Sequence, residues 1–123
     1  MSNAIKVAIG GQLVKKEIKT LLEELGQGNI TADIFTDMEA SMKVKTGEYN
    51  FYLGSCQSGA GGALAMAYAI VGRDKCSTIA NAIKKPTTES VKEDIEKGIK
   101  AFGFTNDRYE MAVEAFVGAV NQA

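Results

Sequence analysis

Histidine is absent from the 123-residue chain, which removes the commonest acid–base catalyst and the commonest metal ligand. Any proton transfer falls to Cys, Asp, Glu, Lys or Tyr. Only two cysteines occur, Cys56 and Cys76, too few for a disulfide scaffold and without zinc-site spacing. Charge of one sign is also missing: the formal net charge is −1 and the basic residues are scattered, so no electrostatic footprint for nucleic acid exists. The longest apolar run, Ala63 to Val71, is too short to span a bilayer. No charged segment followed by an apolar core opens the chain, as a secretory signal would. These absences lead us to expect a reduced, cytoplasmic protein with no metal, no cofactor, and neither nucleic acid nor membrane as partner.

Hydrophobic residues make up 46% and charged residues 24%, which is ordinary for one globular domain spanning residues 1–123. Ser2-Asn3-Ala4 reads as a cloning remnant outside the fold, so residues 1–4 are set apart as a disordered or tag-derived start. Ile5 to Ile9 is rich in β-branched residues and stops at Gly10-Gly11, as a strand does. Val14, Ile18, Leu21, Leu22 and Leu25 then recur at helical spacing, with Gly26 as the C-terminal stop. Thr31 to Thr36 forms a second strand, with Asp37 as cap for a helix over about Met38 to Lys45. Tyr49 to Leu53 is a third strand, and the small apolar residues 63–71 form a helix expected to be buried on most sides.

Cys76 to Ala80 is a weaker fourth strand. Pro86-Thr87-Thr88-Glu89 opens a helix whose stripe is Val91, Ile95, Ile99 and Phe102; a last helix carries Tyr109, Val113, Phe116, Val117 and Val120. Alternating strands and helices imply a parallel sheet with right-handed crossovers. The fold class is therefore α/β: a three-layer, Rossmann-like parallel sheet of four strands in the order 2-1-3-4. Helices cover both faces and a helical pair ends the chain. Phe102-Gly103-Phe104 is the one candidate for a fifth strand.

The stretch Gly54-Ser55-Cys56-Gln57-Ser58-Gly59-Ala60-Gly61-Gly62 joins the third strand to a helix. A glycine-rich strand-to-helix turn lets amide groups converge on an anion. Ligands of open parallel sheets bind where the strand order reverses, here between the first and third strands. Gly10, Gly11 and Gln12 would face the Cys56 turn across that crevice. Neither turn matches a P-loop or a G-x-G-x-x-G dinucleotide fingerprint. The alternative reading of the glycines is tight helix–strand packing.

Cys56 is placed to act as base or nucleophile, since a helix N-terminus favours the thiolate, or to be a small buried residue. Asp37 is either a helix cap or a partner for ligand hydroxyls. Gln12 and Asn81 are neutral hydrogen-bonding candidates, and Lys84 and Lys85 could swing over an anion or stay solvated. Cys76 reads as a core or boundary residue, and Met38, Met42 and Met66 read as core. The apolar helices suggest a homodimer.

Asp37 to Gly47, continuing into Gly54 to Gly61, resembles the bacterial family catalogued as domain of unknown function 2620, the YhfU-like proteins, over nearly the whole chain. That resemblance implies no established activity. More distantly, the order strand, Gly-Gly turn, Lys/Glu-rich helix, then Cys56-Gln57-Ser58-Gly59-Ala60-Gly61 is similar to ribose-5-phosphate isomerase B and the galactose-6-phosphate isomerase subunits. This likeness implies Cys56 as the base of aldose–ketose proton transfer. It also implies Ser58, Gly59 and Gly61 as holders of the sugar's carbonyl region. Gly11 and Gln12 stand where that family has an Asp-His pair, and its ring-opening histidine has no counterpart.

Three function classes follow, beside that of a purely structural partner. The first is a binding or regulatory module for a small phosphorylated or carboxylated metabolite, held at residues 54–63. The second is a sugar-phosphate isomerase using Cys56. The third is a phosphocysteine carrier like the IIB components of sugar phosphotransferase systems, which put the cysteine after the first strand rather than the third.

Overall fold

The computed structural model describes residues 4–57 and 61–122. Five parallel strands form one sheet: β1 (Ile5–Gly11), β2 (Ile30–Ile34), β3 (Phe51–Cys56), β4 (Cys76–Ala80) and β5 (Ala101–Thr105), in the order β2-β1-β3-β5-β4. The expected order 2-1-3-4 holds with one insertion, β5 between β3 and β4. Five α-helices connect or follow them: α1 (Lys15–Gly26), α2 (Asp37–Lys45), α3 (Gly61–Ala67), α4 (Thr88–Glu96) and α5 (Tyr109–Gln122). A π-helical turn, Tyr68–Gly72, continues α3.

The sheet separates two cores. One face packs Val7, Ile9, Leu53, Phe102 and Phe104 against Ile18, Leu22, Val91, Val113 and Phe116, that is, against α1, α4 and α5. The other packs Ala8, Tyr52 and Ala101 against Ala40, Val44, Leu64 and Ala67, from α2 and α3. Alternation along each strand decides which residue faces which layer.

The helical stripe expected to run on to Ile99 and Phe102 ends earlier. The Gly98 amide donates to Ile95 O and the Ile99 amide to Asp94 O, both at 3.0 Å, and Gly98 has φ 97°. This double closure with a left-handed glycine stops a helix. Ile99 is consequently a buried linker residue, and Phe102 lies inside β5, whose five residues are all buried. Gly103, which reads as an interruption, sits in mid-strand.

Other expectations are corrected locally. Gly26 remains helical, and its role is packing, since a Cβ there would lie 2.7 Å from Ile30 Cβ; Gln27 takes the left-handed turn. The cap of α2 is Thr36, not Asp37. Met38, Met42 and Met66 are not core, being 56%, 47% and 39% exposed. The helix following the glycine-rich turn buries Leu64 and Ala67 but leaves Ala65, Met66 and Ala69 exposed, because only its sheet-facing side is covered.

Candidate functional site at the switch point

The strand order reverses between β1 and β3, and the two glycine-bearing strand ends meet there. Gly10 pairs with Gly54 and Gly11 with Ser55. Gly54 also pairs with Gly103, so three glycines stand in register across β1, β3 and β5. Alternation puts this row on the face covered by α2 and α3.

Part of the space left by the missing side chains is filled by Tyr52, which is fully buried two residues before Gly54. A Cβ on Gly10 would come within 2.5 Å of Tyr52 Cε2, and one on Gly54 within 2.7 Å of its hydroxyl oxygen. The Tyr52 hydroxyl donates to Asp37 Oδ1 at 2.7 Å. The Gly11 amide donates to the same oxygen. Burial, then the bond to Asp37 and its charge, push the Tyr52 phenol far above its usual range. Tyr52 is therefore a fixed neutral donor.

Asp37 is available for this because Thr36 and Glu39 complete the helix start without it. The Thr36 hydroxyl accepts from the Glu39 amide at 3.2 Å, and Glu39 Oε1 accepts from the Thr36 amide at 3.3 Å. Asp37, at the first helical position and half-buried, turns its carboxylate toward β1, where the helix dipole favours negative charge. The sequence points to Asp37 but not to Tyr52. The signal for Tyr52 is the coincidence of two facing glycines with a tyrosine on the same strand face, which needs the register to be seen.

Gln12 is exposed, and its amide donates to Ser55 O at 2.8 Å, holding the β1 turn against β3. Ser55 is buried and its hydroxyl donates to Leu13 O at 2.5 Å, so it clamps the same turn. Cys56 ends β3, buried and paired with Thr105 of β5; neither cysteine is in a disulfide. Gln57 is exposed. Ser58, Gly59 and Ala60 lie outside the described residues, and Gly61 and Gly62 begin α3.

Asn81 follows β4, two strands from β3, and its side-chain oxygen accepts from the amides of Ile83 and Lys84 at 2.9 and 2.7 Å. Lys84 donates to Thr78 O at 3.0 Å. Cys76 opens edge strand β4, and burial with the nearby Asp74 pushes its thiol up to about 11. A separate groove of about 310 Å³ lies between α1 and α5, lined by Lys16, Glu17, Thr20, Leu21, Glu24 and Tyr109.

A doubly wound parallel sheet with glycine-bearing strand ends at its reversal point is the class that this geometry defines. Solved structures of that fold include the type B ribose 5-phosphate isomerase of Trypanosoma cruzi, at TM-score 0.65 and 12% identity over 95% of this chain and 83% of that one. The Trypanosoma brucei enzyme gives 0.64 and 14%, covering 94% and 83%. At these identities the likeness is one of fold. The Protein of unknown function DUF2620 family matches residues 5–120, and the chain belongs to that family. The uncharacterized protein YhfU of Escherichia coli K12 is 37% identical over 112 residues, 91% of this chain and 95% of that protein.

Proposed function

We propose that the protein binds a small anionic metabolite, phosphorylated or carboxylated, at residues 54–63, as a binding or regulatory module of the cytoplasm. The observation that carries this reading is the register of Gly10 with Gly54 and Gly11 with Ser55 at the switch point, beside the start of α3. Tyr52 covers the glycine row, so a ligand would approach at the strand ends, where the glycines of the turn would present their amides to an anion. Asp37, whose Oδ1 is held by Tyr52 and Gly11, would accept ligand hydroxyls. Gln12, Ser58, Gly59, Ala60, Gly61 and Gly62 would complete the contacts.

A thermal-shift screen against phosphorylated sugars, sugar acids and inorganic phosphate tests the reading. A ligand at about 100 times its dissociation constant adds roughly 2.7 kcal/mol, on the order of 10 °C for this chain length. The shift should vanish in Gly61→Val. No shift with any anion would overturn the proposal.

A second reading is favoured by the thiol of Cys56 at the end of β3, on the face shared by Tyr52. In it Cys56, as thiolate, takes a proton from the carbon next to a sugar carbonyl, leaving an enediolate. The same proton returns to the neighbouring carbon while the hydroxyl proton passes from one oxygen of the enediolate to the other, which completes the ketose and regenerates the thiolate. Cys56→Ala should then abolish turnover while ligand binding persists; undiminished turnover would sink this version. The exposed apolar strip of Met38, Met42, Ala65 and Met66 supports a homodimer in either case.

A further inference from the structure

Thr105 and Arg108 carry two of the three buried polar side-chain atoms that have no hydrogen-bond partner among the described residues; Ser41 is the third. Thr105 ends β5, directly in register with Cys56, and is 5% exposed. Strand alternation puts it on the face of Ala101, toward α3. It also precedes the 3-10 turn Asn106–Arg108 that leads into α5, with the extended backbone of a helix cap, yet its hydroxyl makes no cap bond. Arg108 forms no ion pair with a described residue, its Nε is buried without a partner, and Nη1 meets only the Met111 sulfur, at 3.9 Å. A buried hydroxyl and a buried guanidinium nitrogen left bare within four residues are expensive unless a ligand satisfies them.

We propose that Thr105 and Arg108 bind the doubly charged phosphate group of the ligand. The Thr105 hydroxyl donates to one phosphate oxygen, and the Arg108 guanidinium supplies further donors and one compensating charge. This rests on the anion-binding reading and sharpens its ligand class: a phosphate monoester is preferred over a carboxylate, because its three terminal oxygens can accept from the hydroxyl and from the guanidinium nitrogens at once, where a carboxylate offers two. The rest of the ligand would then reach across the strand ends toward Asp37.

Inorganic phosphate and acetate are the probes, titrated calorimetrically into the parent protein, Thr105→Val, Arg108→Gln, Arg108→Lys and Gly61→Val, with ligand-free melting as the folding control. Phosphate should bind the parent more tightly than acetate. Thr105→Val and Arg108→Gln should each weaken phosphate about tenfold or more, with Arg108→Lys in between. Ligand-free Thr105→Val should melt no lower than the parent, since it loses a hydroxyl that bonds to nothing.

If phosphate binds Thr105→Val and Arg108→Gln as it binds the parent, and only Gly61→Val loses it, the inference fails while the anion-binding reading stands. Failure of phosphate to bind while acetate does would overturn the preference for a phosphate group and leave the broader reading intact. If neither class of anion binds, both are wrong.

Discussion

The Tyr52 hydroxyl donates to Asp37 Oδ1 at 2.7 Å, joining β3 to the start of α2. The bond crosses from the third strand to the helix that follows the second, at the point where the strand order reverses. Its acceptor oxygen is shared with the Gly11 amide. One carboxylate thereby ties α2 to both β1 and β3.

Tyr52→Phe should cost about 2 kcal/mol, since it removes a buried bond to a carboxylate. Urea unfolding followed by circular dichroism reads this directly. Asp37→Asn should cost less, because an amide oxygen can still accept from both donors. If Tyr52→Phe leaves the midpoint unchanged, the bond contributes nothing to the fold.

Gly10→Ala should lose about 1–3 kcal/mol, because the new methyl meets Tyr52 Cε2 at 2.5 Å and Asp37 Oδ1 at 2.9 Å in a packed region. Combining it with Tyr52→Leu should cost less than the sum of the two changes. A double-mutant cycle giving strict additivity would show that the tyrosine is not what makes glycine necessary there.

Gly98→Ala provides a contrast. Nothing lies within 4 Å of the added carbon, so the penalty is conformational only and comes from φ 97°. It should be about 1 kcal/mol, measured by the same unfolding experiment. A neutral result would mean that the turn relaxes out of its left-handed conformation.

Stability should fall as pH rises above about 10. The hydrogen bond to Asp33, at 2.6 Å, together with burial pushes the Tyr49 phenol up to about 12, and Tyr52 is pushed in the same direction. The folded state thus holds protons that the unfolded chain releases near pH 10. The stabilisation is complete below that pH and is lost as pH climbs through the folded values. Ultraviolet titration should show Tyr49 ionising near 12, and Tyr49→Phe should flatten the alkaline loss of stability.

Light scattering should return twice the mass of the chain, and Met66→Glu should return the mass of one chain with unchanged circular dichroism. The charge would be placed on the exposed apolar strip of α2 and α3. A parent protein that runs as a monomer removes the dimer.

Local chemistry in the sequence determined a good deal of this protein. β-branched runs, the 3.6-residue spacing of Ile18, Leu21, Leu22 and Leu25, and glycine punctuation specify a parallel α/β sheet with its reversal between β1 and β3. They also point to Gly10, Gly11, Asp37 and Cys56 as residues gathered at that place. These signals are legible because they act over a few residues along the chain.

Tertiary structure decided what depends on register and on competition between elements. Phe102-Gly103-Phe104 reads weakly as strand because glycine lowers β propensity. Its place between β3 and β4, with Gly103 beside Gly54, makes it a buried central strand. Asp37 has the composition of a cap, yet Thr36 and Glu39 cap each other and free its carboxylate for Tyr52. Tyr52 itself joins the site only because glycines distant in sequence open space on one face of the sheet. No pattern along the chain encodes that meeting, since it is created by folding strands β1, β3 and β5 side by side.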